Sequence, residues 1–507
     1  MLRYLKDFNF NNCRNYIASL KLPSEYSLLF GILVFLAAFI PLYPKFPILN
    51  VKGTFVAIRA EDLLILLTYF LWGYILIKNG ELLAQFKLKL NRYLLLYFLI
   101  GILSLYSALF VTHSVNFSLG TLHFLRRVEL MMLLPLSLYV LTTRRRILIL
   151  LTTLFVVSFL VNFYGLGQKY LSWPVISTTN SEFSKGLVLY LSPGARVNST
   201  FAGHYDLAVF EVLVLVFVTG AVFYFKNYFL KLGVLLLGGL SFFVLILTAA
   251  RLSFVAVIIG VISVLVLLKK FAFIGIIILI VVASAVYPSQ LRDRFVSTIN
   301  INFLGSQENI YEGISDKQIK QSKLNIPTLR EWGTRESVEF EEQVGVPRDI
   351  TPGEPIDPID LAVYRSFGIR FNLEWPRAIK AFGKNPFFGT GFSSLGLATD
   401  NDILRSLGEV GAFGTLSLIL LFVVIFKKLK KNLLQTDKFG KFISAVTIAM
   451  IIAFVVNGLF IDVFEASKIA SLFWILVGLG LSIQNLNEAP AGLRPEYLPP
   501  SKGDKND

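Results

Sequence analysis

Three polar side chains stand in a row where the chain enters a long hydrophobic run, in the stretch "ATDNDILRSLGEVGAFGT". They are Asp400, Asn401 and Asp402. Polar side chains at the start of a helix accept hydrogen bonds from its first free amides, so Thr399 or Asp400 is a candidate N-cap. A cap accounts for one of these residues, and a carboxylate that is positioned and partly desolvated can also accept a proton from a substrate. The stretch therefore predicts a helix cap together with a polar site.

Three arginines form the second group of residues that could do chemistry. Arg251 lies on a tight turn between two apolar runs, in "LILTAARLSFVAV", while Arg196 precedes another run and Arg370 precedes "FNLEWPRAI". A charge at the edge of a hydrophobic run is costly unless it faces a cavity or a partner. The alternatives are an interfacial anchor for Arg251 and a loop salt bridge for Arg196. Arg365 and Arg377 compete with Arg370 for the same role.

The elements that position these residues are hydrophobic segments, which recur along the whole chain. Of its 507 residues, 55% are hydrophobic and 16% are charged, whereas a soluble globular protein carries about 25% charged residues. Apolar segments of about 20 residues are typical of transmembrane helices and are too long for the alternating strands of a β-barrel. The sequence predicts an all-α polytopic membrane protein with about 12 spans. The predicted spans are 26–43, 62–78, 93–111, 124–141, 147–165, 205–225, 232–249, 252–268, 271–287, 407–426, 442–461 and 466–484.

Basic connections alternate along the predicted spans and set the predicted orientation. They include "KNGELLAQFKLKLNR", "TTRRR" and "KKLKKNLLQTDKFGK". By the positive-inside rule these connections face the cytoplasm, which puts both termini inside. The net charge of +15 is then a signal of topology. It predicts no nucleic-acid partner, because no basic patch interleaved with aromatic residues accompanies it. The single cysteine, Cys13, excludes an internal disulfide.

The predicted spans divide the chain into five parts. A loop as long as the one between spans nine and ten is usually functional, and the polar, Pro-rich end of the chain favours disorder. The five parts are a cytoplasmic arm (1–25), spans one to nine (26–287), a large extracytoplasmic loop (288–403), spans ten to twelve (404–485) and a disordered cytoplasmic tail (486–507).

The stretch "NPFFGTGF…TDNDILRSLGEVGAFGT" resembles the signature of the O-antigen ligase and polymerase family. These are membrane glycosyltransferases that act on undecaprenyl-diphosphate-linked glycans. "RVNSTFAGHYDLA", "LTAARLSFVAV" and "LFWILVGLGLS" are similar to other family motifs, and their order extends the resemblance over roughly residues 190–480. The matching glycines are Gly389 and Gly391 in the loop, and Gly411 and Gly414 beyond it. Together with Gly408, the last two recur at every third residue, which predicts one flat helix face for close packing.

The resemblance implies a multi-pass enzyme of the bacterial inner membrane whose active site faces the periplasm. Its partners would be an undecaprenyl-diphosphate-linked glycan donor, a saccharide or lipid-anchored glycan acceptor, and the membrane lipids. The expected role is joining a glycan to its acceptor in lipopolysaccharide and other cell-envelope polysaccharide biosynthesis. Polymerisation of repeat units is the alternative reaction, and a lipid-linked glycan flippase or transporter is the alternative from another class.

The resemblance also implies roles for the polar residues. Arg251, with Arg196 or Arg370, would hold the diphosphate, because the planar guanidinium fork matches phosphate oxygens. Asp400 would activate the acceptor hydroxyl at the position where the ligase branch usually has His. The implied reaction is a displacement that inverts the anomeric carbon. Since the arginines supply the positive charge, neither a metal nor a cofactor is expected.

Other polar residues are expected to assist this site. Asn401 and His204 would bind substrate, although a polar cluster at the start of a helix is the alternative for His204. In "LRRVEL", Arg126 or Arg127 is expected to form a buried salt bridge with Glu129 that supports the outer site.

Overall fold

A computed structural model of the protein describes residues 24–44, 46–51, 57–175, 190–191, 195–303, 368–396, 398–434 and 437–487. The predicted arm 1–25 and tail 486–507 therefore lie almost entirely outside the described residues, as do residues 304–367 of the predicted large loop. The last helix nevertheless continues to Asn487, past the predicted start of the tail.

The described part of the chain is helical apart from its loops and one two-stranded antiparallel sheet. The strands are β1 (Pro47–Asn50) and β2 (Ala57–Arg59). The helices are α1 (Ser24–Leu42), α2 (Ala60–Lys78), α3 (Leu82–Lys87), α4 (Lys89–Phe110), α5 (Phe117–Val140), α6 (Arg144–Tyr170), α7 (His204–Tyr224), α8 (Tyr228–Leu247), α9 (Arg251–Leu267), α10 (Ile274–Val286), α11 (Gln290–Phe303), α12 (Trp375–Lys384), α13 (Asp402–Leu434), α14 (Lys438–Gly458) and α15 (Ser467–Asn487). A 3₁₀ turn (Phe271–Phe273) precedes α10, and a π-helical turn (Arg370–Glu374) precedes α12.

Each predicted span lies on a helix, and the predicted all-α polytopic membrane fold is confirmed. The largest difference is at α13, which covers Asp402–Leu434 where the sequence predicts 407–426. Nine described helices are long and apolar enough to cross a membrane, or ten if α10 and α11, which meet at an 87° bend, form one broken span. α9 has only 17 residues, and α5 carries three charged residues near its middle. Twelve spans and the extracytoplasmic loop remain predictions.

Three helices form the centre of the packed bundle. The apolar segment of α15 is completely buried, and those of α7 and α14 are mostly buried. Around them α5 packs on α15, α9 packs on α14, and α4 packs on α13. By contrast, α10 has no buried residue. The ends of the central helices at one side of the bundle adjoin the loops 195–203 and 459–466. The π-helical turn, the start of α12 and the residues just before α13 lie beside the second of these loops.

Helix α13 is interrupted at Gly411, where φ is 67° and ψ is −170°. The preceding loop lies against this break as an additional strand would, because backbone groups on both sides form hydrogen bonds. The amides of Thr390 and Gly391 donate to the carbonyls of Gly408 (2.9 Å) and Glu409 (2.8 Å), and those of Ala412 and Phe413 donate to the carbonyls of Pro386 (2.7 Å) and Phe387 (3.1 Å). These bonds fix the loop that leads to Asp400 against the first half of α13.

Two glycines make this interlock sterically possible. Gly389 and Gly411 both have positive φ, 71° and 67°, a region that side chains with a Cβ seldom adopt. A Cβ on Gly411 would lie 2.4 Å from the carbonyl oxygen of Phe387, and one on Gly389 would lie 2.4 Å from that of Glu409. The predicted flat glycine face is therefore wrong. Gly411 breaks the helix because its backbone must bond to the loop.

A buried lysine ties the loop before α7 to the bundle. Lys468, in the first turn of α15, is fully buried. Its Nζ donates to the carbonyls of Pro41 (3.2 Å), Tyr43 (2.5 Å) and Thr200 (2.7 Å). An ammonium has three donors, so these carbonyls use all of them. The end of α1 and the segment that carries Arg196 are thereby held at one place.

Candidate active site

The central contact of the site joins Arg370 to Asp400. Arg370 begins the π-helical turn, and its Nη2 lies 2.7 Å from Asp400 Oδ2. The Asp400 side chain is 28% exposed, whereas that of Arg370 is only 8% exposed. Asp400 has a φ of 49°, in the left-handed region. The amides of Thr399 and Asp400 donate to Asp462 Oδ2 at 2.7 Å and 3.1 Å. Asp462 therefore stabilises the turn that presents Asp400 to Arg370 and to solvent.

Asn401 is the N-cap of α13, a role for which the sequence suggests Thr399 or Asp400. Its Oδ1 accepts from the amide of Leu404 at 2.9 Å, and its Nδ2 donates to the carbonyl of Leu459 at 3.0 Å. The prediction of the cap is wrong by one or two residues, because the left-handed turn moves the helix start beyond Asp400. Asn401 thus links the start of α13 to the loop after α14.

Asp402 is also engaged in holding the fold. Its Oδ2 accepts from the amides of Val463 (3.0 Å) and Phe464 (3.4 Å), in the loop between α14 and α15. The three adjacent polar residues therefore point to different partners. Of the three, only Asp400 contacts an arginine of the predicted site.

Two of the three predicted arginines line one small pocket. Arg251 and Arg370 line it together with Arg294, Tyr205 and Ile461. The guanidinium of Arg251 donates to the carbonyl of Arg294 at 3.4 Å and also bonds the hydroxyl of Thr298. Helix α11, which lies nearly at a right angle to α10, supplies Arg294. Arg251 therefore faces protein groups and the pocket, as a charge beside a hydrophobic run requires.

Arg196 approaches the same pocket from the loop before α7. It is 3% exposed, and its guanidinium carbon lies 5.5 Å from the centre of the Tyr205 ring. The Tyr205 hydroxyl bonds both Arg196 and Arg370. Burial lowers the pKa of Arg196 to about 10, with Tyr205 acting against this shift. The ring centres of His204 and Tyr205 lie 4.1 Å apart. Because His204 is almost completely buried, a substrate would reach Tyr205 before His204.

A buried network of charges supports the loops of the site. Arg405 Nε lies 3.7 Å from Asp462 Oδ1, and its Nη1 lies 4.0 Å from Glu465 Oε1. Arg127 also pairs with Glu465. The predicted pairing of Arg126 or Arg127 with Glu129 is thus replaced by one between α5 and the loop before α15. The carboxylate that lies nearer to Arg127 is that of Glu465, in this loop. The backbone carbonyl of Glu129 accepts a hydrogen bond from the Tyr69 hydroxyl.

Burial and neighbouring charges set the protonation of the carboxylates around Asp400. Burial raises the pKa of Asp400 above its ordinary value, Arg370 acts to lower it, and Asp462 adds to the rise. The pKa of Glu374 is raised to about 7 by burial and then by Asp400 and Asp462. Burial alone would lower the pKa of Arg370, but Asp400 and Tyr205 raise it above its ordinary value. Arg370 therefore stays charged beside a carboxylate that has a raised proton affinity.

Several residues of the site have no distinct signal in the sequence. Tyr205 lies in the short polar stretch "GHYD", Asp462 lies in the mostly apolar "LFIDVF", and Arg294 lies in "LRDRF", one of several basic stretches in the predicted large loop. Of the rival arginines, Arg377 donates to the carbonyl of Ala398 at 2.6 Å, and Arg365 lies outside the described residues. Only the folded arrangement distinguishes the arginines that line the pocket.

Residues 234–418 match the family model of the O-antigen ligases. This region belongs to the O-antigen ligase family. The predicted family is confirmed, and the matched region contains Arg251, Arg294, Arg370 and Asp400. No curated protein matches the chain. The O-antigen ligase region begins in α8 and ends in α13, so it contains the three arginines that line the pocket and the loop 386–391 that bonds to α13.

Proposed function

We propose that the chain transfers a glycan from an undecaprenyl-diphosphate carrier to a hydroxyl of a saccharide or lipid-glycan acceptor. The reaction would take place on the periplasmic side of the bacterial inner membrane. The observation that carries this proposal is the 2.7 Å contact between Arg370 and Asp400 beside a pocket lined by further arginines. It joins a proton acceptor to a binding site for an anionic leaving group, within a region of the O-antigen ligase family.

The arginine pocket would bind the diphosphate of the donor. Arg251, Arg294 and Arg370 line one pocket, and Arg196 reaches it through Tyr205. Guanidinium groups bind phosphate oxygens in pairs at fixed geometry and remain charged when buried. Because negative charge grows on the leaving diphosphate, these cations would stabilise the transition state more than the ground state.

Asp400 would accept the proton of the attacking hydroxyl. The acceptor oxygen forms its bond to the anomeric carbon as the O–H proton passes to the Asp400 carboxylate. The bond between that carbon and the diphosphate oxygen breaks at the same time, and the diphosphate leaves with the electron pair. Attack opposite the leaving group inverts the anomeric carbon. Arg370, in contact with Asp400, favours the ionised carboxylate that this step needs.

We propose that this reaction is independent of metal ions, because the arginines supply the positive charge that a metal would otherwise provide. No group of three or more His, Cys, Asp or Glu side chains suited to a metal ion occurs within the described ranges. Transfer by the purified protein should therefore continue in EDTA. Loss of transfer in EDTA that Mg²⁺ or Mn²⁺ restores would contradict this part of the proposal.

The test of the whole proposal is mass spectrometry of the cell-surface glycans and of the lipid-linked intermediates after deletion of the gene, with the membrane face of each intermediate assigned by its access to a glycosidase added to intact spheroplasts. A ligase predicts loss of the finished glycan from its acceptor and accumulation of the finished lipid-linked glycan on the periplasmic side. Accumulation of single repeat units would instead show a polymerase. Accumulation on the cytoplasmic side would show a flippase and would overturn the proposal.

A further inference from the structure

We propose that Phe371, Trp375 and Phe460 form a platform that binds a pyranose ring of a substrate glycan. We call these three side chains the aromatic platform. The inference rests on the proposed function, since it concerns the sugar on which that reaction acts.

The three rings of the aromatic platform form a continuous row. The ring centres of Phe371 and Trp375 lie 4.5 Å apart with an angle of 62° between the planes. Those of Trp375 and Phe460 lie 5.7 Å apart at 44°. The row connects the π-helical turn to the loop after α14, two segments that meet only in the folded protein. Phe371 is 47% exposed, so at least one ring of the row is accessible.

Two residues of the aromatic platform are chain neighbours of residues that line the arginine pocket. Phe371 directly follows Arg370, and Phe460 directly precedes Ile461, and both of these neighbours line the pocket. Arg370 is also the residue in contact with Asp400. A glycan with one end at the pocket would therefore pass the aromatic rings as it leaves the reacting atoms.

The chemistry of the platform suits a sugar better than a lipid tail. A pyranose ring has a face of C–H groups and a rim of hydroxyls. The electron-rich face of an aromatic ring attracts such C–H groups, while nearby polar groups can bond the hydroxyls. Asn372, which follows Phe371, is exposed as well. Arg370 and Glu374 belong to the same π-helical turn, and Asp400 contacts Arg370 from another segment. An exposed ring among polar and charged groups is typical of a site for an amphipathic ligand.

The experiment compares steady-state transfer by wild-type protein, Phe371→Ala, Phe371→Tyr and Trp375→Leu in proteoliposomes. The probes are the lipid-linked donor and the unmodified acceptor, both purified from the deletion strain. An aromatic contact of this kind contributes about 0.5–1.5 kcal/mol, so Phe371→Ala should raise KM for one glycan by up to about tenfold. Phe371→Tyr should restore the wild-type KM, because the ring is kept. A rise for the acceptor alone places the acceptor sugar on the platform, and a rise for the donor alone places the donor sugar there.

The control variant is Phe271→Ala. Phe271 is also strongly exposed, at 58%, but it lies beyond the opposite end of α9 from Arg251. It should leave both KM values unchanged. If Phe371→Ala also leaves both KM values unchanged, the platform is overturned while the proposed function stands. If wild-type protein transfers nothing, the proposed function fails, and equilibrium binding of the same two glycans to wild-type and Phe371→Ala protein then decides the platform alone. Equal affinities would reject it.

Discussion

The contacts of Asp400 are those that a general base needs. Its side chain is partly exposed, its pKa is raised by burial, and its charged partner lies on a separate segment of the chain. Asn401 and Asp402 accept backbone amides instead, which is the ordinary work of polar residues at a helix start. The backbone amide of Asp400 donates to Asp462 and its carboxylate contacts Arg370, so this side chain does not cap α13.

Replacing Asp400 with Asn should nearly abolish turnover, because an amide cannot accept the proton. The loss of one positioned base typically costs about 10²–10⁴-fold in rate. Expression and binding of the lipid-linked donor should be retained, since Asn has the same shape. Asp402→Asn is the matched control, and it should lower the melting temperature with a much smaller effect on kcat. A kcat close to that of the wild type for Asp400→Asn would show that another group is the base.

The acid side of the pH–rate profile should report the ionisation of Asp400. A base must be ionised, so the rate falls as the pH drops through the pKa of Asp400, which burial raises. Arg370 lowers this pKa, so Arg370→Gln should raise it and shift the acid limb of kcat, measured at saturating donor, to higher pH. The other charged groups near Asp400 are Glu374, Asp462 and Arg405. Arg377→Gln is the control, because Arg377 bonds the carbonyl of Ala398. If the acid side of the pH dependence of kcat is the same in Arg370→Gln as in the wild type, this account is contradicted.

At this scale, the sequence predicts residue types better than it predicts their partners. Arg251 and Arg370 were identifiable because a charge beside an apolar run needs a polar neighbour. Asp462 was not, since its role depends on accepting amides 62 and 63 residues earlier in the chain. Which of Asp400, Asn401 and Asp402 contacts Arg370 likewise depends on one left-handed residue. Asp and Asn are both enriched in that region, so residue type alone does not choose among the three.

At the scale of elements, the apolar helices were predictable from the sequence, whereas the break within α13 was not. Each predicted span lies on a helix because length and hydropathy are local properties of the sequence. The break at Gly411 is set by four hydrogen bonds to the loop 386–391, which is a tertiary contact. A glycine at every third residue suits both a packed helix face and a break of this kind, so the pattern alone favoured the wrong one.

The substitution Gly411→Ala should disrupt this interlock. Its Cβ would lie 2.4 Å from the Phe387 carbonyl oxygen at a φ of 67°, and positive φ by itself costs roughly 1–3 kcal/mol at such positions. We expect a lower melting temperature in detergent and loss of transfer, because the loop leading to Asp400 would shift. Gly239→Ala on α8 is the matched control, since a Cβ there meets nothing within 4 Å. Equal melting curves for the two variants would show that the interlock is not needed.

At the scale of the whole molecule, the site residues come from distant parts of the chain but meet at one side of the bundle. The starts of α7, α9 and α13 carry Tyr205, Arg251 and, just before α13, Asp400. The loop after α14 adds Asp462. The packing of α7, α14 and α15 brings these ends together, and this agrees with the predicted orientation, in which the same ends face away from the basic connections.

The orientation itself gives the last prediction. The basic connections "TTRRR" and "KKLKKNLLQTDKFGK" should face the cytoplasm, since positively charged loops are retained there. Both termini should then be inside and residues 288–403 outside, together with the arginine pocket. After Cys13→Ser removes the only native cysteine, a membrane-impermeant maleimide added to intact spheroplasts should label Gly353→Cys and leave Lys430→Cys unlabelled. Both variants should react once the membrane is permeabilised, which controls for access. Labelling of Lys430→Cys alone before permeabilisation would invert the topology and place Asp400 on the side where no periplasmic acceptor could reach it.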